Sequence, residues 1–127
     1  MLNAMMMVGG AKKKVYQATA DVIRTQFGYG SGGDRIKPNS LPNGCKILDL
    51  QLEESSRFIV LRIPLEYICR RFYIGDFEIL TQEDSMSEDT IRSYWCYDNP
   101  YFGQVGQAMQ FMKRNSGKTI PIAFEFK

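Results

Sequence analysis

The side chains with the greatest chemical reach in this 127-residue chain are three cysteines, Cys45, Cys69 and Cys96, and the chain contains no histidine. Thiols 24 and 27 residues apart lack the close spacing of a zinc or dithiol site, and without imidazole the usual general base near neutral pH is missing. Cys96 as a nucleophile would need a basic neighbour, which Asp98 does not supply. Carboxylates pair at Asp76/Glu78, Glu83/Asp84 and Glu88/Asp89, but they match no calcium loop, and adjacent residues on a strand point to opposite faces. They read as a solvated turn or as a docking surface for a basic arm. No catalytic, cofactor-binding or metal-ligating residue is therefore assigned, and a small enzyme working through carboxylates ranks third among the functions considered.

Two basic elements suit binding instead. In Tyr67-Ile68-Cys69-Arg70-Arg71-Phe72-Tyr73, arginines and aromatic rings interleave, the composition with which single-stranded nucleic acid is held by stacking and phosphate neutralisation. Tyr67, Arg70, Arg71 and Tyr73 are the candidate contacts, although Ile68, Phe72 and Ile74 share a strand face that a core would also claim. Lys12, Lys13 and Lys14 form the second element, a cluster suited to phosphate or to an acidic partner. Gly28, Gly30 and Gly33 fit the G-x-G-x-x-G string, but the segment before them reads as helix and the one after as a loop with two prolines, so phosphate binding is not inferred.

The elements that must carry these residues follow from apolar periodicity. Val15, Ala18, Val22 and Ile23 predict a helix over 11–27, with alternation at Val15, Gln17, Thr19, Asp21 and Ile23 keeping a strand open. The Gly/Pro-rich stretch at 28–44 predicts a loop. Alternating apolar residues predict strands over 46–53, 57–65, 67–80 (turned or bulged at Gly75-Asp76) and 119–126. Ser85 and Glu88 fit a capping box for a helix over 87–97, and Asn99-Pro100 starts another over 100–115, whose Val105, Ala108, Met109 and Met112 form one apolar stripe. Pro64 and Pro121 push their strands toward an edge, a bulge or an end. The expected fold is α+β, an antiparallel sheet of about four to five strands packed with three helices. Residues 1–10 form an N-terminal arm ahead of a single domain at 11–127.

A chain of this length, 44% apolar, can bury one real core, about two thirds of its unfolded surface. Charge is uneven: residues 1–46 carry seven Lys/Arg against two Asp/Glu, residues 47–90 four against ten, and residues 91–127 five against two. Such polarity can close within one fold or stack copies head to tail. The odd cysteine count suits reduced thiols and a cytoplasmic setting or a virion, and Met1 to Val8 is too short to span a membrane and has its lysines after it, unlike a secretory signal. The expected function is a non-enzymatic assembly or interaction subunit, such as a phage, viral or other oligomeric structural protein. It would form a homo-oligomer or join a larger assembly through Met5, Met6 and Met7 of the arm and through Ile120 and Ile122 of a terminal edge strand. Single-stranded nucleic acid is the alternative partner.

Overall fold

A computed structural model describes residues 14–24, 34–40, 51–54, 58–82 and 91–127. They form eight strands: β1 Lys14–Arg24, β2 Asp34–Ser40, β3 Gln51–Glu54, β4 Phe58–Pro64, β5 Cys69–Ile74, β6 Phe77–Leu80, β7 Ile91–Tyr97 and β8 Thr119–Phe126. A single-turn 3-10 helix, Pro100–Phe102, and one α-helix, α1 at Val105–Arg114, separate the last two strands. All pairings are antiparallel, in the order β6-β5-β8-β1-β2-β3-β4-β7. The expected α+β layering with three helices is thus overturned: the described chain is mostly sheet.

Within the predicted helix at 11–27, Lys14–Arg24 is a strand because its inward set is Ala18, Ala20 and Val22, at 8%, 0% and 3% exposure, opposite the outward Gln17, Thr19, Asp21 and Ile23. Alanine is the best helix former and carries little apolar signal, so it hides a period of two. Within the predicted helix at 87–97, the described residues Ile91–Tyr97 form a strand for a related reason. Ile91–Tyr97 is rich in residues that suit a pleated surface, and Tyr94 and Cys96 point inward while Trp95 and Tyr97 point outward. The predicted loop at 28–44 contains β2, whose fully buried Ile36 lies between Val22 of β1 and Leu52 of β3. Among the described residues helix occurs only within the predicted 100–115 segment, as the 3-10 turn and then α1 at Val105–Arg114, with Val105, Ala108, Met109 and Met112 all buried. The Ser85 and Glu88 capping box lies outside the described residues.

Pro121 sits inside the sheet at no cost. Its carbonyl accepts from Gly75 N at 2.9 Å, so its nitrogen also faces the β5 side, where β5 has already ended at Ile74 opposite Ile122. The sheet curls around one core drawn from nearly every described element. Tyr94 of β7, 1% exposed, reaches across to accept from the Cys69 backbone N–H of β5 at 2.9 Å. The segment after the 3-10 turn then covers the β6 edge through an Ile79–Gly103 bridge and the Gln104 N–H to Glu78 carbonyl bond of 2.8 Å.

Gly103 is held at φ +81°, and a Cβ there would lie 2.7 Å from the Glu78 carbonyl oxygen. Gly117 has the same handedness, φ +83°, with nothing within 4 Å of its Cβ position. Gly103→Ala should therefore cost about 2–3 kcal/mol in urea unfolding, and Gly117→Ala only about 1 kcal/mol. Equal losses would mean that the close approach at Glu78 does not matter.

Candidate functional site

Two outer surfaces bring chemically distinctive side chains together. The first is built by a bulge in β5. Cys69 pairs with Phe126 and Arg71 with Glu125, so Arg70 is an extra residue on the β5 side. Inward-facing Cys69 and Phe72 then bracket two arginines that both reach one carboxylate, where a regular strand would have sent them to opposite faces. Arg71 Nε lies 2.7 Å from Glu125 Oε1 and its NH1 lies 2.7 Å from Glu78 Oε2. Arg70 NH1 is 3.9 Å from Glu125 Oε2, with its side chain 45% exposed against 3% for Glu125. An open groove of about 530 Å³ adjoins them, lined also by Leu80, Thr81, Gln82 and Lys127.

This cluster is close to electroneutral, two guanidinium groups against two carboxylates, and its arginines are largely spent on their own chain. The Glu78 hydrogen bond raises the Arg71 pKa further, which keeps it cationic at any working pH. Burial raises the Tyr73 phenol, with the Glu78 charge adding to it. Tyr67 packs on Phe126 with ring centroids 5.5 Å apart, and Phe72 is fully buried against Phe124. Tyr67 and Phe72 of the interleaved aromatics therefore serve packing, while Tyr73 is half-buried on the outer face with Arg71.

The second surface lies on the outer face of β4 and β7. Trp95, Phe58, Tyr97, Phe102 and Tyr101 follow one another with ring centroids 4.8, 5.7, 5.8 and 5.3 Å apart. Cross-strand pairing positions the first three, since Phe58 lies opposite Tyr97 and Val60 opposite Trp95. Asn99 then caps the 3-10 turn, its side chain accepting from Tyr101 N at 2.9 Å, which brings Phe102 under Tyr97 and leaves Tyr101 outermost. Tyr97 is 44% exposed and Tyr101 64%; Gln82 Nε2 donates to the Tyr101 hydroxyl. Trp95, Tyr97, Tyr101 and Phe102 stand out in the sequence as an aromatic group, but Phe58 joins them only through the β4–β7 register, and Tyr94 turns the other way into the core.

The remaining sequence-predicted residues are dispersed. Lys14 opens β1 opposite Phe126, while Lys12, Lys13, Met5, Met6 and Met7 lie outside the described residues. Ile120 and Ile122 are 2% and 1% exposed, and β8 is paired on both sides, by β5 and β1. Neither isoleucine has surface to offer a partner, which corrects their assignment to self-association. Strands β1 and β2 flank Gly28, Gly30 and Gly33, so the strand a phosphate loop requires does precede them, but the helix that must follow is replaced by β2.

Cys69 and Cys96 are buried free thiols, and Cys69 Sγ donates to the Arg71 carbonyl at 3.4 Å. Burial pushes the Cys69 thiol strongly upward and raises Cys96 from 9.0 to about 12. Unfolded thiols release protons from about pH 9 while the folded ones hold theirs, so this contribution is complete below pH 9 and is lost as pH rises toward 12. Stability should fall by about 1.4 kcal/mol per pH unit per thiol in that window. Urea unfolding from pH 8 to 11 checks it: a Cys69→Ala/Cys96→Ala variant should show a flatter profile, and identical slopes would refute the thiol contribution.

Among the described residues, no group of three or more His, Cys, Asp or Glu side chains is arranged to hold a metal ion, and no helix is long and apolar enough to cross a membrane. Comparison with protein-family models, with curated proteins and with solved structures finds no match.

Proposed function

We propose that this chain is a non-enzymatic interaction subunit that joins a protein assembly through the aromatic outer face of β4 and β7. The observation that carries this reading is the continuous run of five rings from Trp95 to Tyr101, two of them substantially exposed, beside an edge strand. Tryptophan and tyrosine dominate the energetics of protein interfaces because they bring large contact area at small entropic cost. A packed row of such rings is already ordered before a partner arrives, which lowers what docking must spend on side-chain immobilisation. The bulged arginine cluster supports the same choice, since Arg71 is engaged by Glu78 and Glu125 and Phe72 is core.

The test removes exposed rings without touching the core. Native mass spectrometry and sedimentation velocity of the wild-type chain should show species heavier than the 14.6 kDa monomer, and Tyr97→Ser/Tyr101→Ser should abolish them while leaving the thermal melt within a few degrees. Heavier species of equal abundance in the double variant would defeat the proposal.

The rival nucleic-acid reading keeps only Arg70 well exposed among the four candidates at Tyr67, Arg70, Arg71 and Tyr73. It requires salt-dependent oligonucleotide affinity that Arg70→Ala reduces.

A further inference from the structure

The outer side of α1 carries charges of opposite sign at its two ends, with an open groove of about 530 Å³ between them. Asp98 stands at the amino end. Its carboxylate is laid over the helix because Gly106 has no side chain there: a Cβ at Gly106 would lie 2.7 Å from Asp98 Oδ1. Lys113 and Arg114 line the same groove in the last turn. Gly106, Gln110 and Lys113 follow at steps of four and three, so they run along one side of the helix, with Gln107 and Arg114 beside them. Among the described residues, the side chains of Asp98, Gln107, Gln110, Lys113 and Arg114 form no hydrogen bond or ion pair. The helix dipole favours a carboxylate at its amino end and cations at its carboxyl end, so each charge is stable where it stands. The dipole does not account for the groove or for the two amides between them.

We infer that this groove binds a short peptide with both termini free, about three residues long, its terminal ammonium on Asp98 and its terminal carboxylate on Lys113 and Arg114. The length follows from the helix: the seven-residue step from Gly106 to Lys113 rises about 10.5 Å, and three residues of extended chain cover about 10–11 Å. The groove volume lies within the range of small-ligand sites, about 300–1,000 Å³. Charge fixes the direction, since a reversed peptide would set ammonium against Lys113 and Arg114 and carboxylate against Asp98. Charge-assisted hydrogen bonds to the two termini are the strong contacts, and the Arg114 guanidinium can meet a carboxylate with two N–H groups at once. Gln107 and Gln110 each offer donors and an acceptor to the peptide groups between, whatever their side chains. Phe77 and Met109 supply the apolar lining, which suits an apolar middle residue. The groove shares no residue with the aromatic row, so the inference stands apart from the interaction reading above.

Titration of the isotope-labelled full chain with the tripeptide Ala-Leu-Ala, followed by nuclear magnetic resonance, is the test. Amide shifts should concentrate at Asp98 and along α1, and acetylating the amino end or amidating the carboxyl end of the peptide should each weaken binding about tenfold or more. Asp98, Lys113 and Arg114 are exposed, so their variants should keep the wild-type circular dichroism. Asp98→Asn should erase the preference for a free amino end and keep that for a free carboxylate, and Lys113→Gln/Arg114→Gln should do the converse. Gly106→Ala, whose methyl group would displace the Asp98 carboxylate, should behave as Asp98→Asn. This crossed pattern supports the inference. The absence of shifts at millimolar peptide overturns it, as do shifts that lie away from α1. Equal binding of free and doubly capped peptides overturns it too. An acetylated peptide bound as tightly as the free one, and lost in Lys113→Gln/Arg114→Gln, would leave an anion site only and overturns the role of Asp98.

Discussion

Replacing Arg71 with methionine should destabilise the protein by about 3 kcal/mol, far more than the same change at Arg70, although the two are neighbours in sequence. Arg71 is the near partner of Glu125, whose side chain is only 3% exposed, and it also binds Glu78. Methionine keeps the apolar stem but removes the nearest cation from a desolvated carboxylate, and breaking one side of a buried pair costs about 3–5 kcal/mol. The Arg71 side chain is 27% exposed, so water softens the loss toward the lower end. Arg70, 45% exposed and 3.9 Å from Glu125, should cost under about 1 kcal/mol. Adding Glu125→Leu to Arg71→Met should recover most of the stability, because the desolvated carboxylate goes with it. Urea midpoints of the single and double variants measure the coupling. A loss below about 0.5 kcal/mol for Arg71→Met would mean that the remaining contacts of Glu125 suffice to neutralise it.

The contrast between these two arginines marks what the sequence can and cannot convey. Adjacent residues of one type look equivalent until pairing with β8 inserts the bulge that aims both at Glu125. Where one side of an element carries strong apolar residues at its own period, as Val105, Ala108, Met109 and Met112 do in α1 or Ile120, Ile122, Phe124 and Phe126 in β8, the element is legible. In β1 the inward positions Ala18 and Ala20 are small and helix-prone, and in β7 the apolar residues occupy both faces because the outer one is aromatic as well. Both strands therefore read as helices, and with them the sheet lost its centre and one of its edges. Ile120 and Ile122 illustrate the consequence. Placed at an imagined edge they look adhesive, whereas among the described strands β8 is central and β7 lies at one end of the order.

Site legibility followed the same division. The aromatic group around Trp95 is visible as composition, but its use depends on which rings face outward, and a helical reading would have put Tyr94 and Trp95 on one face. In the strand they separate: Tyr94 closes the curl by accepting from Cys69, and Trp95 joins the outer row. One residue ties the strand down from within while its neighbour faces outward, so the rigidity and the exposure of the proposed surface arise from the same alternation.

Phe124→Ala should cost about 3–5 kcal/mol and lower the melting temperature by on the order of 10–20 °C. Phe124 is fully buried at the middle of the paired length of β8, with its ring 6.2 Å from Phe72 and 6.0 Å from Phe126. Truncation removes the ring whose neighbours belong to two adjacent strands. Those strands are fixed by backbone pairing, Tyr16 and Phe72 both lying opposite Phe124, so they cannot close the cavity. A domain of this size holds about 5–15 kcal/mol in total, so the loss takes a large share of it. Phe124→Leu, which refills most of the volume, should retain more than half of what alanine loses. Leu80→Ala, at a 40% exposed position on β6, is the control and should shift stability by about 0.5 kcal/mol or less. Calorimetric melting of the three variants discriminates: a Phe124→Ala melt within a few degrees of Leu80→Ala would mean that the β5, β8 and β1 junction is not the centre of the core.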